Sequence, residues 1–203
     1  QYFGSGGKLK SEIAAEITAV LAFAAVQNKD KTGLLISTDQ VEKFIPVKKG
    51  RTHVLRVVRE ILCYQPKHRM TKLSAALEYL HGFLTRTAVI FLISDFLDKD
   101  YEKPLKILSR KHDVIAIHLR DPREENIPSL GMMEFEDRET GQRQLIDTSL
   151  AGFREGLKRK AATRNEALDK LFKTLRVDKI DIRTGESYVE PLMAFFFFFL
   201  KRL

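Results

Sequence analysis

The sequence predicts an α/β domain: a mostly parallel sheet with helices on both faces, one antiparallel edge strand and a small extra β-hairpin. Three observations carry this expectation. Segments with helical spacing of apolar residues alternate with short apolar runs along the whole chain. The run from Thr87 to Ser94 is apolar on both faces, which belongs at the centre of a parallel sheet. Only Asp39 and Gln40 separate the run Thr32 to Thr38 from Val41 to Ile45, a link too short for a crossover, so those strands pair antiparallel.

Taken in order, Lys8 to Asn28 is an alanine-rich helix with Ile13, Ile17, Val20, Leu21 and Ala24 at helical spacing. Thr32 to Thr38 is a largely buried strand around Gly33 to Ile36. Val41 to Ile45 alternates, and Pro46 closes it, which marks a sheet edge. Thr52 to Tyr64 is a helix with Thr52 as cap and Val54, Leu55, Val58, Ile61 and Leu62 facing inward. Thr71 to Leu84 is another, with Leu73, Ala76, Leu77, Leu80 and Phe83 on one side. After the strand at Thr87, Lys99 to Lys111 is helical and Asp113 to Leu119 is the next parallel strand. A loop at Asp121-Pro122-Arg123-Glu124 leads to Met132 to Glu136 and Arg143 to Ile146, joined by a turn at Asp137 to Gly141. Leu150 to Leu175 is a long charged helix, Lys179 to Arg183 a last strand, and a final helix runs over 187–203. No repeat or linker divides the chain, so residues 1–203 form one domain.

The composition narrows the function. At 203 residues, 44% hydrophobic and 31% charged, the chain can bury one substantial core. Cys63 is the sole cysteine, which excludes an internal disulfide and a cysteine-based zinc cluster; it lies in an apolar helical pattern and reads as a buried or half-buried thiol. The reducing cytoplasm is the simplest compartment. The net charge of +8 invites a nucleic-acid reading, but acidic residues interleave with the lysines and arginines along most of the chain, and no aromatic platform accompanies the local basic clusters at Lys48-Lys49-Gly50-Arg51, Lys67 to Arg69 and Lys158-Arg159-Lys160. Solvated helix ends and loops are the better account, and no nucleic-acid partner is expected. The apolar run Leu192 to Leu200 contains Phe195 to Phe199 and gives a helix of roughly 14 Å, too short for a membrane span. Consecutive phenylalanines cannot all face one core, so part of this tail is exposed or meets another chain.

Several collinear segments resemble the bacterial family catalogued as a domain of unknown function, number fifty-eight. They are Phe3-Gly4-Ser5 followed by Lys8; Asp30 to Leu35; Phe44-Ile45-Pro46 followed by Gly50-Arg51; Thr71 to Leu80; and Ile93-Ser94-Asp95-Phe96. His112-Asp113-Val114, Asp121-Pro122-Arg123-Glu124, Asp137 to Gly141, Asp147-Thr148, Thr184 and Pro191-Leu192 extend the match over nearly the whole chain. The resemblance implies a von Willebrand factor A-like fold and association with MoxR-type AAA+ ATPases. Tyr2 to Lys8 is similar to the segment just after the metal-binding strand of such domains, so the expectation is an A-type domain truncated at its N-terminus.

The same resemblance implies metal-ion-dependent adhesion, in which magnesium takes about six oxygens from three loops at the carboxyl ends of the strands. Here Thr71 stands at the position of the second loop's threonine and Asp95 at that of the third loop's aspartate. The first loop is not in the sequence, so the site is a remnant: Mg2+ belongs to the full-length parent, and none is expected in this chain. Lys72 adds a cation where the family usually has an aspartate. Thr71 also suits a helix cap and Asp95 a turn cap without any metal. Asp121 and Glu124 read as fixing their loop by hydrogen bonds and an ion pair, and His112 and His118 as packed or solvated. Gly4 to Lys8 lacks the leading strand and full spacing of a phosphate loop.

The leading expectation is a non-catalytic interaction domain, its partner a MoxR-type ATPase or that ATPase's substrate. The alternatives are a metal-dependent hydrolase using Asp95, Asp121 and neighbouring acids, and a basic nucleic-acid-binding domain. In the expected strand order a gap separates the strand at Gly33 to Ser37 from that at Val89 to Ser94, and open strand edges there, or the Phe195 to Phe199 tail, would favour self-association.

Overall fold

The computed structural model describes residues 9–68, 70–136 and 143–199. Its elements are α1 (Lys10–Gln27), β1 (Thr32–Ser37), β2 (Val41–Lys48), α2 (Arg51–Cys63), α3 (Leu73–Phe83), β3 (Val89–Ser94), α4 (Glu102–Ser109), β4 (Asp113–Arg120), α5 (Pro122–Glu125), β5 (Met132–Glu136), β6 (Arg143–Asp147), α6 (Ala151–Leu175), β7 (Asp178–Arg183) and α7 (Val189–Phe199). The expected turn at Asp137 to Gly141, the glycine-rich segment 2–8 and residues 200–203 lie outside the described residues.

A parallel sheet of order β3-β4-β7 organises the domain. Its register sets Ser94 beside His118 and His118 beside Asp181. The side chains of β4 alternate between two cores. Val114 and Ala116 join Ile90, Leu92, Leu105, Leu108, Leu168 and Phe172 on the side of α3, α4 and α6. Ile115, Ile117 and Leu119 join Ile13, Ile17, Ile180, Ile182 and Leu192 on the side of α1 and α7. Helices therefore cover both faces, and each fully buried leucine, isoleucine or phenylalanine contributes roughly 1.5–3 kcal/mol. The centre is β4, not the more apolar β3, which among the described residues pairs on one side only. Hydropathy misleads here because β4 carries His118, whose ring is buried but bonded to Asp181 on the neighbouring strand.

The antiparallel pair also departs from expectation. β1 and β2 form a two-stranded sheet of their own rather than the edge of the main one, because no described strand joins β1 to β3. Pro46 does not end β2, which runs on to Lys48 opposite Thr32. Among the described residues β2 has a single partner strand, so its other edge can tolerate a missing N–H. The register shifts between Thr32 and Leu34, where β2 carries an extra residue. Gly33 makes this possible: a Cβ there would lie 2.9 Å from both the Ile45 carbonyl oxygen and Val47 Cγ1.

Some helix faces are also shifted. In α2 the buried residues are Val54 and Val57, which meet Ile45 and Ala22 of β2 and α1, whereas Leu55 and Leu62 are exposed. Cys63 is exposed rather than buried. Gly50, with φ 106°, stands at the N-cap position expected of Thr52. In α7, Phe195 and Phe196 pack on the α1 side of the sheet, Phe196 against Phe91 at 6.1 Å between centroids, while Met193 and Phe197 face outward. No described helix is long and apolar enough to cross a membrane.

Candidate functional site

The carboxyl ends of β3 and β4 bring the expected site residues to one end of the sheet, though not in the expected roles. Asp95 follows β3 directly, and its Oδ1 accepts a long bond from Leu97 N at 3.4 Å. Thr71 is exposed and precedes α3, but it does not cap it. Lys72 occupies the N-cap position without a side-chain bond, and Asp98 reaches over from the loop after β3 to accept the Leu73 N–H at 2.6 Å. A carboxylate at a helix N-terminus is favoured by the exposed amides and the helix dipole. Lys72 N in turn donates to Thr38 O at 2.9 Å, so the segment bearing Thr71 is tied to both sheets.

The centre of the site is a residue that sequence reasoning passed over. Lys10, the first residue of α1, is only 2% exposed and places its ammonium 2.6 and 2.7 Å from the two carboxylate oxygens of Glu124. The same Nζ lies 3.5 Å from Asp95 Oδ2. Glu124 is delivered by α5, a single turn that Asp121 caps by accepting from Arg123 N at 2.9 Å, with Pro122 preset for the first turn. Lys10 thus fastens the start of α1 to the loops after β3 and β4. An ammonium at a helix N-terminus opposes the helix dipole, and the two carboxylates offset that. Nothing local in the sequence could reveal the contact, because Lys10 and Glu124 are 114 positions apart.

The described residues do not fit magnesium. Lys10 already neutralises the carboxylates, and a divalent ion at Asp95 would stand beside that ammonium. Thr71 and Asp95 supply at most part of the six oxygens the ion requires. Among the described residues no cluster of His, Cys, Asp or Glu has the makings of a metal site.

Two further carboxylates position the surroundings. Glu42 sits in β2 and accepts from Thr38 Oγ1 at 2.6 Å, from the Tyr64 hydroxyl, and from Lys67 N and His68 N at 3.1 and 3.0 Å, holding the segment that leads to Thr71. Partial burial pushes its pKa up, but these donors outweigh it and lower the value from 4.5 to about 2. Asp181 of β7 meets His118 Nδ1 at 3.0 Å and Lys179 Nζ at 2.8 Å. Here too burial opposes, and the bonds from His118 and Lys179 bring the carboxyl from 3.8 down to about 2. Asp181 is therefore ionised at neutral pH, and His118 carries its hydrogen on Nδ1. His112 is equally buried: its Nδ1 accepts from Ala88 N at 3.2 Å, and burial, then Lys111, pushes its pKa down.

These shifts set an acid limit. Below about pH 4.5 the unfolded chain takes up protons that folded Glu42 and Asp181 still refuse, so stability falls with pH until about 2, where both folded groups protonate. Urea midpoints are expected to be level near neutrality and to drop through that window. Glu42→Gln should start lower and show a shallower drop; an unchanged slope would deny the carboxylate this role.

Comparison with known proteins agrees with this architecture. Residues 1–167 match the model of a family described as "Protein of unknown function DUF58". Uncharacterised proteins of Mycobacterium tuberculosis and Mycobacterium bovis are each 25% identical over 198 residues, covering 95% of this chain and 62% of the relative. The chain thus spans less than two thirds of these relatives' length. The crystal structure of the conserved hypothetical protein BatB from Bacteroides thetaiotaomicron superposes with a TM-score of 0.54 at 14% identity, covering 91% of this chain and 84% of that one. At that identity the likeness is one of fold alone.

Proposed function

The chain belongs to the family of proteins of unknown function DUF58, and from that premise we propose that it is a non-catalytic protein-interaction domain of von Willebrand factor A type that works with a MoxR-type AAA+ ATPase. The observation that carries this reading is the Lys10 clamp. It ties α1 to the loops after β3 and β4, at the end of an open α/β sheet where ligands are usually bound. The clamp engages Asp95 and Glu124, two of the acids a metal-dependent hydrolase would need, in an ion pair. His112 and His118 are spent on packing and bonds to the fold. The clamp leaves outward a rim with Leu97 45% exposed and Met70 53% exposed, on the loop after β3 and the segment before α3. Exposed apolar side chains on a rigid frame suit a protein partner.

The test is direct binding between this chain and a purified MoxR-type ATPase, with and without nucleotide. Binding near about micromolar affinity is expected, weakened about tenfold or more by Leu97→Asp. Added magnesium is expected to leave the thermal midpoint of this chain unmoved. No binding in either nucleotide state, or binding indifferent to Leu97, would sink the proposal.

A further inference from the structure

A second feature lies at the same end of the sheet but on its β4–β7 side. Arg120 and Arg183 are the last residues of β4 and β7, and the register pairs them directly. Adjacent strands are about 4.8 Å apart, so two guanidinium groups start side by side and concentrate positive charge at this end of the sheet. Two acids stand at the margins: Asp181 is 4.0 Å from Arg120, and Glu186 is 3.7 Å from Arg183 on an exposed turn. Above the pair, α6 lays Lys158, Ala161 and Asn165 along one face at helical spacing. Together with Asn126, the residue that ends α5, these groups line an open cavity of about 270 Å³, and among the described residues no carboxylate stands in its wall.

We propose that this cavity binds the dianionic group of a small molecule, of the phosphoryl or dicarboxylate type, between Arg120, Arg183 and Lys158. Guanidinium groups present planar forks that match such oxyanions with paired hydrogen bonds, and a nearby ammonium adds a point charge. The side-chain amide of Asn126 can donate to a remaining oxygen. The volume exceeds that of a lone phosphate and approaches the ~300 Å³ floor of small-molecule sites, which leaves room for a short organic remainder against Ala161. The site shares the α5 turn with the Lys10 clamp through Pro122 and Asn126, but Arg120, Arg183 and Lys158 take no part in the clamp.

The test is calorimetry at constant ionic strength with inorganic phosphate and, separately, succinate. Binding of at least one anion at about millimolar concentration is expected, with Arg183→Gln and Lys158→Gln each weakening it about fivefold or more. Lys48→Gln in β2 removes the same charge from the other sheet and should change nothing. Tighter phosphate binding would identify a phosphoryl ligand, and tighter succinate binding a dicarboxylate. Neither anion binding below about 10 mM, or equal weakening by Lys48→Gln, would overturn the proposal.

Discussion

Lys10→Met is expected to destabilise the domain by about 3 kcal/mol, seen as a lower urea midpoint and a thermal midpoint roughly 6–12 °C lower. Methionine replaces most of the aliphatic stem, so packing at the start of α1 is nearly kept and the loss isolates the charge. Removing one member of a buried ion pair costs about 3–5 kcal/mol because the other charge is left without compensation. The lower end applies here, since Glu124 is 31% exposed and regains some water, whereas Asp95 at 13% regains less. Adding Glu124→Gln to Lys10→Met should restore part of the loss, because the stranded charge is then removed as well. If Lys10→Met costs less than about 1 kcal/mol, the pair behaves as an ordinary solvated salt bridge and the clamp has no structural weight.

The elements of the fold were legible because they rest on local patterns. The helical spacing at Ile13 and Ile17 and the short link at Asp39-Gln40 are each decided within a few residues. The layering of helices on both faces followed from the alternation of those segments. Pairing at a distance was beyond the reach of sequence. The centrality of β4 depends on Asp181 rescuing His118 across strands, and periodicity carries no trace of that bond. Asp98 taking over the cap expected of Thr71 is the same kind of event, a carboxylate supplied from 25 positions away. At the site, Asp95 was found through the family resemblance, which expects an aspartate at the end of the most apolar strand. Lys10 was missed because a lysine at the start of a helix ordinarily faces water, and only its distant partners reverse that. The extension of β2 through Pro46 was hidden for another reason: proline forbids a ladder bond only on the paired side, and sequence does not say which side is free.

Phe96→Ala is expected to cost about 3–4 kcal/mol and to loosen the site along with the core. Phe96 follows Asp95 and is a non-glycine residue in the left-handed region, with φ 52°. Such a conformation is unfavourable by about 1 kcal/mol for an L-residue and persists only where surrounding packing holds it. The packing is explicit. The Phe96 ring is buried 5.1 Å from Phe172, 5.7 Å from His118 and 5.9 Å from Tyr101, centroid to centroid, and Phe96 N donates to Ser94 Oγ at 3.0 Å. Alanine keeps the backbone penalty and loses the ring, so nothing remains to pin the turn that presents Asp95 to Lys10 and Asp98 to α3. Phe96→Leu, which refills much of the volume, should lose roughly half as much. The two effects separate in a double-mutant cycle with Lys10→Met, read from urea unfolding. If Phe96 positions Asp95, the double variant falls short of additivity by about 0.5 kcal/mol or more, because the clamp is already slack when its lysine is removed. Strict additivity would mean that Phe96 is core packing alone and that the turn after β3 holds its shape without it.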